Sequence, residues 1–481
     1  MLEKFNGIFK RDFSNREVIN FITYSINYLS WYLFFKLWEV INFITYSMII
    51  IMPFIIVKNL NPNYLMGKVI FTYVMGVLLL IVLIKDNFKS LKKLLKKQVS
   101  FKKEDIKNLF KENIETRLIL VMFLALLFST LFGIDIMNAL LGNKNRYEGL
   151  LIYGVYFLLF IASAKYIVIN KKIIEFICIV ASFMAIYTVL QLHGIDPVFK
   201  FLKGSLAGLS EFGFIGNRNF LSTYLLIFEA ISMGAFIFYK NNRYLIYSTI
   251  IFAGILSGQT RGVWVGFLAM SALGFLFIIK DKQRLKRAGI ILICFSAAFL
   301  LINFSAENRI IKRSKTIVSD IEKISSNDKK EIKSVGSNRV SIWIMTLKSI
   351  KKNPILGTGP DTLHLRLVRD VPEDVYSMIL SHRIYPDKAH NEFLEYWATG
   401  GILTLVSYLG LVITILVNLF KKRDKISKIF IIIIFGYLVQ SFFNISVIQV
   451  ALIYWIILGL GVRSYKNGID IESLTEEIQL T

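Results

Sequence analysis

Apolar stretches about as long as a bilayer core is thick recur along nearly the whole chain, and no other feature limits its fold as strongly. They lie near 40–57, 69–84, 118–134, 149–168, 173–192, 219–239, 244–258, 263–279, 288–304, 394–419, 429–446 and 449–463. A helix needs roughly 20 such residues to cross, and it satisfies its own backbone where no water can. Hydrophobic residues make up 55% of the sequence, and the mean hydropathy is +0.57, more apolar matter than a water-soluble fold can cover. A membrane β-barrel is excluded, because its strands alternate over short segments. The chain reads as an all-α, polytopic integral membrane protein with about twelve transmembrane helices.

Lysine and arginine set the orientation. The loops "KDNFKSLKKLLKKQVSFKKEDIKNLFKENIETR", "INKK", "KNNR", "KDKQRLKR" and "KKRDKISK" alternate with loops poorer in positive charge. All five are cytoplasmic if the N-terminus is, as the positive-inside rule prefers. That puts "SGQTRG", residues 193–218 and the long segment 305–392 on the outer side. The expected organisation is a cytoplasmic or interfacial segment 1–39, helices one to nine over 40–304, and a large, partly helical extracytoplasmic loop over 305–392. Helices ten to twelve follow over 393–464, then a cytoplasmic tail over 465–481.

The net charge of +24 fits loops beside anionic lipid rather than a nucleic-acid partner. The basic stretch 85–117 is expected to lie on such lipid. Cys178 and Cys294 both sit in apolar runs, which argues against a disulfide framework or a cysteine-ligated metal. The start, "MLEKFNGIFKRDFSNRE", is polar and basic, so an uncleaved first anchor is expected instead of a signal peptide. "EVINFITYS" occurs at 17–25 and again at 39–47, a local tandem duplication. The first copy, with Asn20, Asn27 and Lys36 nearby, reads as an interfacial helix; were it to span, the count would become thirteen and the N-terminus would move outside.

Within 305–392, "SSNDKKEIKSVGSN" is a polar, flexible connector. "RVSIWIMTLKSI" spaces Val340, Trp343, Leu347 and Ile350 as one face of an amphipathic helix. "KKNPILGTGPDT" ends that helix in a tight turn.

Three residues on the expected outer face stand out. Arg261, in "SGQTRGVWVGF", lies where two spans meet near the membrane surface. A guanidinium at that depth either snorkels over a helix end or faces a paired, wet site. Arg339 opens the amphipathic helix, and His390 precedes the next apolar run in "DKAHNEFLEYWATGG". Two arginines grip a diphosphate by paired charge-assisted hydrogen bonds, and a neutral histidine takes a proton from a hydroxyl. No carboxylate pair or histidine cluster on that face has evident metal-ligand spacing, so the site is expected to need no metal or other cofactor, with arginines neutralising the leaving group. A carboxylate to orient His390 is not obvious; Asp387 is the nearest in sequence. His364 and His382 are competing bases in less motif-like surroundings. Arg366, Arg369 and Arg383 are either a basic neighbourhood for an anionic glycan or head group, or a solvated loop. Glu229 is an intramembrane carboxylate that is either functional or bonded to a neighbouring helix.

"GNRNFLSTYL", "SGQTRGVWVGF", "NRVSIWIMTLKSIKKNPILGTGPDT" and "AHNEFLEYWATGGILTLVSYLG" resemble, in order over residues 216–410, the motifs of the O-antigen ligase family. That family comprises polytopic membrane glycosyltransferases and includes O-antigen polymerases and protein O-oligosaccharyltransferases. The resemblance implies a glycosyltransferase of GT-C-like, multi-helix architecture in the cytoplasmic membrane, with its site facing outward. It implies Arg261 and Arg339 as ligands of an undecaprenyl diphosphate carrying the donor glycan, and His390 as the base acting on a lipid, glycan or protein acceptor. The implied transfer is inverting and metal-independent. Asn217 and Asn219 match the first motif, and Arg218 departs from the proline often found between them, which makes it a further candidate anion contact. Asn391 is a candidate contact beside the base.

A polymerase of the same family is the close alternative. A transporter or lipid-glycan flippase is the alternative of another class. It would need polar residues along a mid-membrane path, often on broken helices in repeated halves. Gly400 and Gly401 are expected to let a neighbouring helix approach behind His390.

Overall fold

The computed structural model describes residues 37–57, 65–96, 113–196, 198, 213–326 and 328–468. Among these every regular element is helical. In chain order they are α1 (Leu37–Ile50), α2 (Met66–Lys96), α3 (Ile114–Leu131), α4 (Ile136–Leu141), α5 (Leu150–Lys165), α6 (Lys171–Leu192), α7 (Arg218–Tyr239), α8 (Arg243–Ser257), α9 (Arg261–Ile278) and α10 (Lys282–Ser305). After them come α11 (Arg309–Ser325), α12 (Lys329–Lys352), α13 (Leu363–Asp370), α14 (Pro372–His382), α15 (Glu392–Lys422), α16 (Lys425–Ser441) and α17 (Ile448–Asn467).

Each of the twelve apolar stretches holds a helix. Eight of these, α2, α3, α6, α7, α9, α10, α15 and α17, are long and apolar enough to cross a membrane; α1, α5 and α8 are apolar but shorter. The protein is a multi-pass membrane protein. Asparagine or aspartate caps start several helices: Asn170 before α6, Asp281 before α10 and Asp424 before α16 each accept a backbone N–H. The first "EVINFITYS" copy lies outside the described residues, while the second forms most of α1. The basic stretch after the second span continues helically to Lys96, and residues 97–112 lie outside the described residues.

The centre of the bundle is α7 and α17, buried along almost their whole length. α17 packs on α5, α15 lies along α3, and α9 pairs with α16. Trp455 of α17 is enclosed by Tyr156, Phe157 and Phe160 of α5, with its ring 5.1 Å from that of Phe157. Such aromatic layers add to plain area burial.

Residues 305–392 form a small helical cap with its own core of Ile342, Met345, Leu363, Leu367, Val375 and Met378. The expected connector is only partly irregular. α11 extends through Ser325 and α12 begins at Lys329; the break is confined to Val335–Asn338, where Gly336, Ser337 and Asn338 all take left-handed φ. The buried face of α12 includes the expected Ile350 but leaves out Leu347. Ile342, Met345, Thr346 and Ser349 point inward while Leu347 is exposed, because two short polar side chains find partners inside. Ser349 is one such partner. Its hydroxyl donates to Asp370 at 2.6 Å and accepts from Arg366 Nε at 2.7 Å. Arg366 is fully buried and also donates to the carbonyls of Ser349, Asn353 and Ala398. It ties the cap together, and so belongs neither to a basic surface nor to a solvated loop.

Gly400 and Gly401 admit a loop, not a helix. Gly401 has φ +81° and interrupts α15. The freed carbonyl of Thr399 accepts from Gly359 N–H at 2.9 Å. A Cβ on Gly357 would lie 1.9 Å from that carbonyl oxygen, and one on Gly401 would lie 2.2 Å from the Ile355 carbonyl oxygen. The sequence "ILGTGPDT" thus wedges into a break in α15 just behind its first two turns, where only glycine fits.

Candidate functional site

Four described helices begin on an arginine, and two of these starts lie together. Arg218 is the first residue of α7 and Arg261 the first of α9. A helix start is the positive end of its dipole, so a cation there is unfavourable unless an anion shares the place. Asn217 caps α7, its side-chain oxygen accepting from Asn219 N–H at 2.8 Å. Thr260 links the two starts, its hydroxyl donating to Asn219 Oδ1 at 3.3 Å.

Arg261 reaches across to the cap. It donates to Asp320 at 2.7 Å, to the Thr316 hydroxyl at 3.1 Å and to the Ser337 hydroxyl at 3.3 Å. Arg313 of α11 stands close enough for Arg261 and Arg218 to depress its pKa, after burial, and its Nε donates to the Gln259 carbonyl at 3.3 Å. Arg339 follows the left-handed turn 336–338. Burial, then Arg261 and Arg313, bring its guanidinium down to about 10 against the opposing pull of Asp320.

His390 closes the group. Burial lowers its pKa to about 4, with Arg339 adding to the fall, Asp387 opposing it and Arg146 again lowering it. The imidazole is therefore neutral at pH 7, and its Nδ1 is buried without a hydrogen-bond partner among the described residues. Asp387 is near but does not orient the ring by a hydrogen bond. Its carboxylate is held by Arg146, with Nε at 2.8 Å and Nη2 at 2.7 Å. Burial pushes Asp387 up, and Arg146 outweighs this, leaving its pKa below the usual carboxylate value.

His390 takes a left-handed φ of +51°, and its neighbours fix that turn. Ala389 N–H donates to Glu395 at 2.8 Å, and Asn391 caps α15 by accepting from Leu394 N–H at 3.0 Å. Lys388 points into the protein, where Asp361, Glu148 and Glu395 surround its ammonium at 3.1, 3.3 and 3.5 Å. These carboxylates hold the ammonium well above its ordinary pKa despite burial.

The structure brings Arg261, Arg339 and His390 into one neighbourhood, with Arg218 at its edge beside Arg313. The side chains of Asn217 and Asn391 serve as helix caps, and that of Asn219 ties α7 to α9. His364 is elsewhere. It contacts Asn143, and the groups that act on it most, after burial, are Asp361, Asp387, Lys388 and Asp135. His382 is exposed at the end of α14, beside Ser381. Sequence reasoning passed over Arg146, Arg313 and Asp320, which are single charges in unpatterned polar stretches. Five guanidiniums, of Arg146, Arg218, Arg261, Arg313 and Arg339, face the two carboxylates of Asp320 and Asp387. The surplus suits an anion of two or more charges. Among the described residues no group of three or more His, Cys, Asp or Glu side chains is arranged to hold a metal ion.

Residues 244–409 match the family model described as O-antigen ligase. Over that stretch the chain is similar to the O-antigen ligase family. No curated protein matches the chain. The matched stretch contains Arg261, Arg313, Arg339, His390 and Asn391, whereas Arg146, Asn217, Arg218 and Asn219 come from the chain before it. The match points to glycosyltransferase activity of the ligase or polymerase type in a membrane protein.

Proposed function

We propose that this protein is an O-antigen ligase-like glycosyltransferase that moves a glycan from undecaprenyl diphosphate to an acceptor hydroxyl on the outer face of the cytoplasmic membrane. The observation that carries the reading is the convergence of Arg339 and Arg261 with a neutral, buried His390 at the starts of apolar helices. A lipid diphosphate lies at that level, its tail in the bilayer and its phosphates among the guanidiniums.

In the proposed step the acceptor O–H gives its proton to His390, and the oxygen attacks the anomeric carbon of the first sugar. The bond from that carbon to the phosphate oxygen breaks, and the electron pair stays on the diphosphate. Arg261 and Arg339, with Arg313 beside them, balance the charge that develops there. Attack opposite the leaving group inverts the anomeric centre. The proton then leaves His390 for solvent or the departing diphosphate. Guanidiniums supply the neutralisation, so the reaction is proposed to run without a divalent cation.

The test is release of the lipid diphosphate by purified protein given a polyprenyl-diphosphate glycan and an acceptor, in EDTA. His390→Ala should keep donor binding and lose roughly 10²–10⁴-fold in transfer rate, the usual contribution of a general base. Intact transfer by Arg339→Ala, or strict dependence on Mg²⁺, would overturn the assignment. A polymerase uses the same clamp and base on an acceptor that is itself a lipid-linked repeat; a ladder of product lengths identifies that case.

A further inference from the structure

Beside the arginine cluster, a groove of about 450 Å³ runs between α12 and α14, within the ~300–1,000 Å³ typical of small-ligand sites. It is distinct from the clamp, and its lining differs in kind. Its walls carry hydroxyl and amide groups, chiefly Asn338, Ser341 and Ser377, and its floor holds Met345 and Met378, both buried. Lys348 of α12 and Asp374 of α14 are joined by a 2.7 Å ion pair between the walls.

We propose that this groove holds the glycan of the lipid-linked donor. A sugar ring has an apolar C–H face and a polar rim, and this lining offers both complements. Methionine side chains are flexible and polarisable, so they fit C–H faces of different shape. The Ser341 hydroxyl donates to the Lys333 carbonyl at 3.0 Å, which leaves its lone pairs to accept from sugar hydroxyls. Paired Lys348 and Asp374 present both a donor and acceptors. None of this suits the polyprenyl tail.

The position of the groove selects donor over acceptor. Asn338, at its edge, is followed directly by Arg339 and preceded by Ser337, whose hydroxyl Arg261 contacts. A diphosphate held by those arginines therefore has its first sugar at the mouth of the groove, and later sugars extend along it. This inference rests on the clamp proposed above.

The experiment uses full-length protein in detergent and two polyprenyl-diphosphate donors, one bearing a single sugar and one bearing the complete repeat, with a fixed acceptor. Ser341→Trp and Ser377→Trp each fill the groove from one wall. Either should raise KM for the repeat-bearing donor by roughly tenfold or more, the loss expected from about 1.4 kcal/mol of binding. The one-sugar donor and the acceptor should keep their KM values. Equal losses for both donors, or a changed acceptor KM, would overturn the assignment. Leu380→Trp, at an exposed position of α14 outside the groove, should retain wild-type KM for both donors, which separates a filled groove from a damaged cap. Transfer by the wild type from neither donor would instead refute the clamp, which a KM difference between donors does not test.

Discussion

The ammonium of Lys388 lies 3.1 Å from the carboxylate of Asp361, and both side chains are almost wholly buried. Glu148 and Glu395 complete the cluster. One lysine thus fastens the residue pair before His390 to α5's entry loop, to the "GTGPDT" wedge and to α15. Lys388→Met should leave three carboxylates without their shared cation and cost about 3–5 kcal/mol, the usual penalty for breaking a buried pair. Thermal unfolding in detergent reads this as a large fall in Tm. The double variant Lys388→Met/Asp361→Asn should recover part of the loss, since it removes one orphaned charge; no recovery would mean that the lysine matters for packing alone.

The pH dependence of transfer follows from the surroundings of His390. Its folded pKa of about 4 lies below the ordinary value near 6.5. The free enzyme therefore keeps its base unprotonated from neutrality down to about pH 5, and kcat/KM for the donor should show no limb near 6.5. Donor binding brings negative charge beside Arg339 and so raises the imidazole pKa. The acid limb of kcat should lie at higher pH than that of kcat/KM. The stability sign is separate. A buried neutral histidine stabilises the fold fully above about pH 6.5, and that contribution is lost as the pH falls toward 4, because the unfolded chain takes up the proton first. His390→Gln should flatten that part of the stability profile. Coincident limbs for kcat and kcat/KM would refute donor-linked tuning.

Arg339 and Arg261 should fail in different ways. Arg339 is in no ion pair among the described residues, so Arg339→Ala removes charge from the site without freeing a carboxylate. Donor affinity should fall by about 1.5–3 kcal/mol, the worth of hydrogen bonds to a charged group, with little change in Tm. Arg261 is bonded to Asp320, Thr316 and Ser337, and Arg261→Ala should lower both donor affinity and Tm. Arg339→Lys should restore little, because an ammonium lacks the planar fork. Binding can be followed with a polyprenyl diphosphate lacking sugar.

Much of this was legible in the chain, and for definable reasons. Membrane spans are long, and their apolar runs end in charge, so each of the twelve expected stretches holds a helix. Arg261, Arg339 and His390 stood out because each sits where an apolar run meets a polar one. On α12 the face was right at Ile350 and wrong at Leu347, since hydropathy alone cannot tell that Ser349 would be drawn inward by Arg366. Lys388 looked like any loop lysine. Its three carboxylate partners come from residues 148, 361 and 395, and only the folded chain unites them. The same holds for Arg146, whose partner Asp387 lies 241 positions away.

The wedge behind the site should tolerate no side chain. Gly357→Ala would drive a Cβ into the Thr399 backbone, which cannot swing aside as a side chain can. Overpacking usually costs ~1–3 kcal/mol, and a backbone clash belongs at or above that range. Gly154→Ala is the control, because no atom outside its own turn lies within 4 Å and alanine is the better helix former by up to about 1 kcal/mol. Unfolding midpoints of the two variants should move in opposite directions. A Gly357→Ala protein with wild-type stability would mean that the loop does not enter the break in α15.

Glu229 separates transfer chemistry from transport. It is fully buried in α7, and its Oε1 accepts a 2.5 Å hydrogen bond from Ser248 of α8, while Oε2 has no partner among the described residues. In a transporter a carboxylate at this depth would carry charge or a coupling ion, and its neutralisation would stop the cycle. In a glycosyltransferase whose chemistry lies at the helix starts, it is one side of a helix–helix contact. Glu229→Gln has nearly the same shape and keeps an oxygen for Ser248, so its cost should stay near the ~0.6 kcal/mol average of such contacts in membranes. The transfer rate should stay within about twofold of wild type. A loss of a hundredfold or more with unchanged Tm would place Glu229 on a functional path through the bundle and favour the transport reading.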